Sequence, residues 1–263
     1  MKNFEKNVIL ITGAGMGLGL ATAWEAAALG AKLVLVDYNE EALQKAKSDL
    51  TKDYSGLEVL IIKADVSKEE EVKAYVNETI EKFGQIDGFY NNAGIEGKQA
   101  SITEYDIDIF KKVVDINLMG VYYGLRYVLP HMQERKYGRI VNVASVGGIR
   151  GVMNQMPYVA SKHAVSGMTK NTALEYAQYG ITSNAIAPGA ILTPMVAEAF
   201  KQVNPADPQA AEKDYAQANP AKRLGLPAEV AKVVCFLLSK DCSYVNGQTI
   251  AIDGGQSNSY GNV

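Results

Sequence analysis

Cysteine and histidine are scarce in this chain, two of each in 263 residues, and a single tryptophan stands among its aromatics. Cys235 and Cys242 lack a second pair and a CxxC spacing, and His131 and His163 form no cluster with them, so a protein-held catalytic metal is not expected. Cys235 lies in the apolar run 233–238 and reads as a core residue, while His163, directly after Lys162, reads as structural or as a neighbour of a pocket. An excess of one charge is also missing: 26 basic and 29 acidic residues leave a net charge of −3. With a pI near 5.6 there is no basic footprint for nucleic acid and nothing to draw the chain to an anionic membrane surface. No apolar stretch is long enough to span a bilayer. The opening Met1 to Lys6 runs straight into an apolar strand, which leaves no room for a signal peptide, and the expected location is the cytoplasm. Internal repeats and low-complexity tracts are absent as well.

What the chain does have is apolar periodicity. At 48% hydrophobic, its length is enough to bury a large core, and residues 1–263 are expected to form one domain. Apolar runs of strand length, at 8–12, 32–37, 58–63, 88–91, 139–143, 182–187 and 249–252, alternate with helix-length amphipathic segments. That alternation predicts an α/β fold with a doubly wound parallel sheet of about seven strands and helices on both faces. Long helices are expected over roughly 105–133 and 158–179, with Pro130 tolerated because the first helix is finishing there.

The first strand enters a glycine-rich turn, Gly13-Ala14-Gly15-Met16-Gly17-Leu18-Gly19. Glycines let a backbone approach a pyrophosphate, and the helix beginning near Gly17 would point its amides at the anion. The commonest dinucleotide fingerprint would put its third glycine at Leu18, so the alternating spacing is a variant of it. The second strand ends at Asp37, where an acid accepts hydrogen bonds from an adenosine ribose diol. A carboxylate there would repel a 2′-phosphate, and neither Met16 nor Tyr38 offers the cation such a phosphate needs, so the expected cofactor is NAD. Asp37 could equally cap the helix that carries residues 40–50.

Chemistry is concentrated at Tyr158 and Lys162, with Ser145 thirteen residues before the tyrosine. A phenol titrates near pH ~10, so it needs a nearby cation to act as a base near neutrality. Residues four apart share a helical face, which places the Lys162 ammonium beside Tyr158.

Together these residues resemble the classical short-chain dehydrogenases/reductases over nearly the whole chain. Thr12-Gly13 with Gly17 and Gly19 resembles that family's cofactor turn, Asp65-Val66 its adenine-side acid, and Asn91-Asn92-Ala93-Gly94 its fourth-strand signature. Asn117, Ser145, Tyr158 and Lys162 fall on its catalytic positions, and Pro188-Gly189 with Ile191 and Thr193 on the segment that closes over the nicotinamide carboxamide. The runs 145–151, 187–195 and 252–256 are most similar to bacterial NAD-dependent cyclic-ketone reductases of the levodione reductase type. The resemblance implies a Rossmann-type fold, a homotetramer built partly through the two long helices, and hydride exchange between NAD and a small carbonyl or alcohol substrate. It also implies roles: Tyr158 as acid and base, Ser145 holding the carbonyl oxygen, Lys162 on the nicotinamide ribose, and Asn117 holding a water through its backbone at a helix irregularity.

Between residues 190 and 224, Pro194, Pro205, Pro208 and Pro220 interrupt an alanine-rich sequence that looks like a substrate lid. Its apolar members Met195, Val196 and Phe200 could cover a non-polar substrate or only anchor short helices. Glu96 could bond a polar substituent of the substrate or sit in solvent. Two other functions stay open at this level: a nucleotide sensor without catalysis, and an epimerase or dehydratase that keeps its NAD bound.

Overall fold

A computed structural model describes residues 3–259. Seven parallel strands form one sheet in the order β3-β2-β1-β4-β5-β6-β7. They are β1 (Val8–Thr12), β2 (Lys32–Asp37), β3 (Val59–Lys63), β4 (Gly88–Asn91), β5 (Gly138–Val143), β6 (Ile181–Pro188) and β7 (Thr249–Ile252). The α/β, Rossmann-like fold expected from the alternating runs is the one observed, and the strand limits differ from the expected ones by a residue or so.

Strand alternation explains why the sheet is covered on both sides. Successive side chains point to opposite faces, so Ile9, Ile11, Leu33 and Leu35 enter one apolar cluster, whereas Val8, Leu10, Val34 and Val36 enter the other. The first cluster is closed by α1 (Gly17–Ala28) and α9 (Pro227–Leu238), through Ala23, Ala26, Val230 and Val234. On the opposite face α3 (Glu69–Phe83), α5 (Gly120–Arg135) and α6 (Met156–Tyr176) contribute Val72, Val76, Val128 and Val165. Each such side chain taken out of water contributes roughly 1.5–3 kcal/mol. Cys235 is buried in the first of these clusters.

The remaining helices are α2 (Glu40–Asp53), α4 (Ile107–Val114), α7 (Pro194–Val203) and α8 (Pro208–Ala218). The single long helix expected over 105–133 is in fact α4 and α5 joined by a π-helical turn, Asp115–Met119, in which Gly120 N–H bonds back to Asp115 O. Pro130 lies inside α5, which continues to Arg135. Its ring faces solvent, and no core contact depends on the missing donor. Among the described residues no helix is long and apolar enough to cross a membrane.

Strand order reverses its direction of growth between β1 and β4. In open α/β sheets the crevice at the carboxyl ends of such strands is where ligands bind. A cleft of about 740 Å³ opens there.

Candidate active site

One end of the cleft is made by the turn after β1. Gly13 and Gly17 have φ of +64° and +57°, the left-handed region that favours glycine. A methyl at Gly19 would lie 2.1 Å from Gly13 O, so the start of α1 can cross the turn only without a side chain. α1 has no side-chain cap and no acid in its first turn. Its first amides are therefore available to an anion in the cleft.

Asp37 anchors this turn. Its Oδ2 accepts from Gly15 N–H at 2.9 Å and its Oδ1 from Asn39 N–H at 3.0 Å, with only 7% of the residue exposed. The capping role considered for it belongs instead to Asn39, whose Oδ1 accepts from Ala42 N–H. A methyl at Gly15 would press on the Asp37 carboxylate at 3.1 Å, which accounts for that glycine. Asp65 turns its Oδ1 to Ser67 and lines the same end with Val66.

Thr12, which the resemblance put in the cofactor turn, bonds the chain just after β4. Fully buried, its hydroxyl accepts from Asn92 N–H at 3.0 Å and Ala93 N–H at 3.1 Å. Asn92 returns the contact by donating its amide to Thr12 O and Gly13 O. β1 and β4 are thus locked together where the cleft opens. The motif marked the threonine, and its bonding role comes from a partner eighty positions away.

At the other end, Ser145 follows β5 and accepts from Gly147 N–H at 3.1 Å. Tyr158 occupies the first turn of α6. A methyl on Gly147 would lie 3.6 Å from both the Ser145 hydroxyl oxygen and the Tyr158 ring, so the two converge on one spot. Lys162 donates to Val143 O at 2.8 Å, with its Nζ 5.6 Å from the centre of the Tyr158 ring. Asn117, in the π-helical turn, is fully buried. Its Oδ1 accepts from Ile95 N–H at 2.8 Å and its Nδ2 donates to Ile95 O at 2.7 Å. A methyl at Gly94 would meet Asn117 Oδ1 at 3.0 Å and Lys162 Nζ at 3.4 Å, so the glycine keeps these two groups close.

The electrostatics correct one expectation. Lys162 does not bring the phenol down: burial pushes Tyr158 up to about 12, the Ser145 hydroxyl offsets part of that, and Glu96 adds to it. Burial also lowers Lys162 to about 8. Desolvation penalises both charged forms, and at this depth it sets the direction of both shifts.

Glu96 is not in solvent. It lines the cleft and accepts from Gln155 Nε2 at 2.5 Å and Gln99 Nε2 at 3.3 Å. Burial raises its carboxyl above the ordinary value, with the Gln99 contact pulling the other way. In α7, Met195 and Val196 face the cleft, whereas Phe200 is buried edge-on to Tyr215 of α8. The covering and anchoring readings of that segment therefore each describe different residues. His163 is exposed, bonds Val159 O and does not line the cleft.

Of the residues named from the sequence for cofactor, catalysis and substrate, Thr12, Gly15, Gly19, Asn91, Asn117 and Phe200 stand behind the cleft wall, and the rest line it. Among these are Met16, Leu18, Pro188, Gly189, Ile191 and Thr193. A buried acid at one end, uncapped helical amides along the floor, and a buried lysine beside a tyrosine at the other fit a dinucleotide lying lengthwise.

The chain is similar to several known proteins over nearly its whole length. Residues 13–257 match the family model described as enoyl-(acyl carrier protein) reductase. Levodione reductase of Leifsonia aquatica is 54% identical over 98% of this chain and 96% of its own. Cyclohexanol dehydrogenase of Acinetobacter sp. (strain SE19) is 41% identical over 95% of both. The crystal structure of levodione reductase superposes with a TM-score of 0.96, covering 98% of this chain and all of that one. NAD+-bound xylitol dehydrogenase superposes at 0.92 with 36% identity, over 96% and 99% of the two chains. The chain belongs to the short-chain dehydrogenase/reductase family, as an oxidoreductase of its ketone and alcohol class.

Proposed function

We propose that this protein interconverts a cyclic ketone and the corresponding secondary alcohol with NAD(H), within one domain over residues 1–263 whose segment 190–224 is the substrate lid. One observation carries the proposal: Ser145, Tyr158 and Lys162 converge at the end of a single cleft whose other end is closed by the buried carboxylate of Asp37.

Bound NAD(H) would supply or take up the hydride at its nicotinamide C4, held by the turn from Gly13 to Gly19, Asp37, Asp65, Val66, Asn92 to Gly94, Lys162, and Pro188 to Thr193. The Ser145 hydroxyl donates to the substrate carbonyl oxygen and polarises it, a contribution worth several powers of ten when the donor is pre-positioned. Tyr158 gives its proton to that oxygen in reduction and removes it in oxidation. A phenol held near 12 is fully protonated at neutral pH, as reduction requires. Asn117 acts through the backbone of the π-helical turn, which holds a water for proton return. Glu96 accepts a hydrogen bond from a hydroxyl substituent of the substrate, while Met195 covers its apolar face.

NAD is favoured over NADP because Asp37 brings a negative charge to the adenosine end and only Tyr38, 71% exposed, follows it. The complete set Asn117, Ser145, Tyr158 and Lys162 speaks against a sensor that has lost catalysis. We place the protein in the cytoplasm as a homotetramer: two buried free cysteines suit a reducing compartment, and Tyr122 of α5 and Leu174 of α6 are exposed apolar residues on the long helices, Leu174 at 83%.

The test is oxidation of NADH and of NADPH with cyclic ketones, diketones and keto-sugars, run beside Tyr158→Phe. An NADH-dependent rate that the variant loses supports the assignment. A wild type that binds NADH and reduces nothing overturns it.

A further inference from the structure

We infer that Gln202, in the last turn of α7, is a positioning residue that latches the lid over the substrate and holds Glu96 in place. The inference rests on the substrate role given to Glu96 above.

Gln202 uses both ends of its amide on one backbone loop. Its Oε1 accepts from Gln99 N–H at 3.0 Å, and its Nε2 donates to Gly97 O at 3.3 Å. That loop is otherwise tightly held. Gly97 has φ of +86°, and a methyl there would meet Tyr105 Oη at 2.7 Å, while Tyr105 Oη itself accepts from Lys98 N–H. The latch therefore joins a helix to a rigid strip.

From there the contacts continue to the catalytic end. Gln99, whose backbone the latch grips, points its side-chain amide at Glu96 Oε1, and Gln155 donates to the same oxygen from the residue preceding α6. Tyr158 sits three positions beyond Gln155. A chain of Gln202, Gln99, Glu96 and Gln155 thus crosses the cleft from lid to catalytic helix. Glutamine suits each link, because an amide offers donor and acceptor without charge and leaves Glu96 as the one acid in the chain. Substrate entering between α7 and the 95–99 loop must part the Gln202 contacts, and restoring them encloses it.

Gln202→Leu keeps the bulk and removes both bonds. The expected result is a KM for 4-hydroxycyclohexanone raised about tenfold, the scale of losing two ordinary hydrogen bonds, with kcat changed by less than about threefold and NADH affinity retained. Preference for the hydroxyketone over cyclohexanone should fall by a similar factor, because Gln99, one of the two donors to Glu96, is no longer fixed by the latch. In nucleotide-free protein, hydrogen exchange should quicken across residues 194–203 and stay unchanged in α6.

Wild-type KM and preference in the variant would overturn the inference. So would faster exchange with preference intact, which would make Gln202 merely structural. If Gln202→Leu fails to fold, Gln202→Asn decides in the same way, since its amide is one methylene too short to reach the loop. If the wild type reduces no ketone, the reaction assigned above is at fault, while unchanged exchange of residues 194–203 in the variant still overturns the latch.

Discussion

Asp37 holds the glycine turn shut: its Oδ2 accepts the Gly15 amide proton at 2.9 Å while its Oδ1 takes that of Asn39. One carboxylate thus shapes the nucleotide turn and charges the adenosine end of the cleft. Asp37→Ala leaves a buried amide unpaired, and such a loss costs about 1–3 kcal/mol. The expected outcome is a lower Tm together with NADH affinity down at least about tenfold. Asp37→Ser with a basic residue in place of Tyr38 should shift the ratio of NADPH to NADH turnover upward. Titration of both nucleotides against each variant checks this, and an unaltered ratio would remove the electrostatic reading of Asp37.

Tyr158→Phe keeps the ring against Lys162 and removes only the acid. Loss of a positioned general acid lowers rate by roughly 10²–10⁴-fold. NADH binding, measured by fluorescence, should stay near the wild-type value, because the phenol is not part of the turn or the adenosine end. A variant retaining a tenth of the activity would mean that another group delivers the proton.

Burial holds Lys162 near 8, below its ordinary 10.5, and the sign of the resulting pH dependence is fixed by that direction. Below pH 8 the side chain is charged in the folded protein and favours an anionic dinucleotide; above it the charge is lost, so NADH affinity should fall as pH rises through about 8. For stability the sign is opposite. Between about 8 and 10.5 the unfolded chain binds more protons at this site than the folded one, so the Lys162 contribution to stability increases with pH there. Lys162→Met should flatten the affinity profile. An identical profile in the variant would assign the pH dependence elsewhere.

Thr12→Val preserves shape and deletes the acceptor shared by Asn92 and Ala93. Two buried N–H groups then lack a partner, and destabilisation of about 2–4 kcal/mol is expected on the scale of such losses. Because the same contacts join β1 to β4 at the mouth of the cleft, NADH affinity should fall with stability. Thermal melts with and without NADH separate the two effects. A variant as stable as wild type would show that water replaces the hydroxyl.

What the sequence determined by itself was everything carried by periodicity and by local spacing. Two-residue alternation in 8–12 and 32–37 already states which side chains face which layer, and a strand entering Gly13 to Gly19 already implies a close backbone approach, because only glycine permits it. The four-residue step from Tyr158 to Lys162 placed both on one face. Tertiary structure decided whatever depends on burial and on residues far apart in the chain. Proximity of Lys162 to Tyr158 was readable, but not that burial would push the phenol up and the lysine down, since that depends on how many layers cover the pair. Asn39 rather than Asp37 caps α2 because it directly precedes Glu40, whereas Asp37, two residues further back, takes the Gly15 and Asn39 amide protons. The π-helical turn at Asn117 has no periodic signature, as it is stabilised by side-chain bonds to Ile95, twenty-two positions earlier. The links from Gln202 through Gln99 and Glu96 to Gln155 likewise exist only when four separate segments are folded against one another, since a hydrogen bond is set by distance in space and not by separation along the chain.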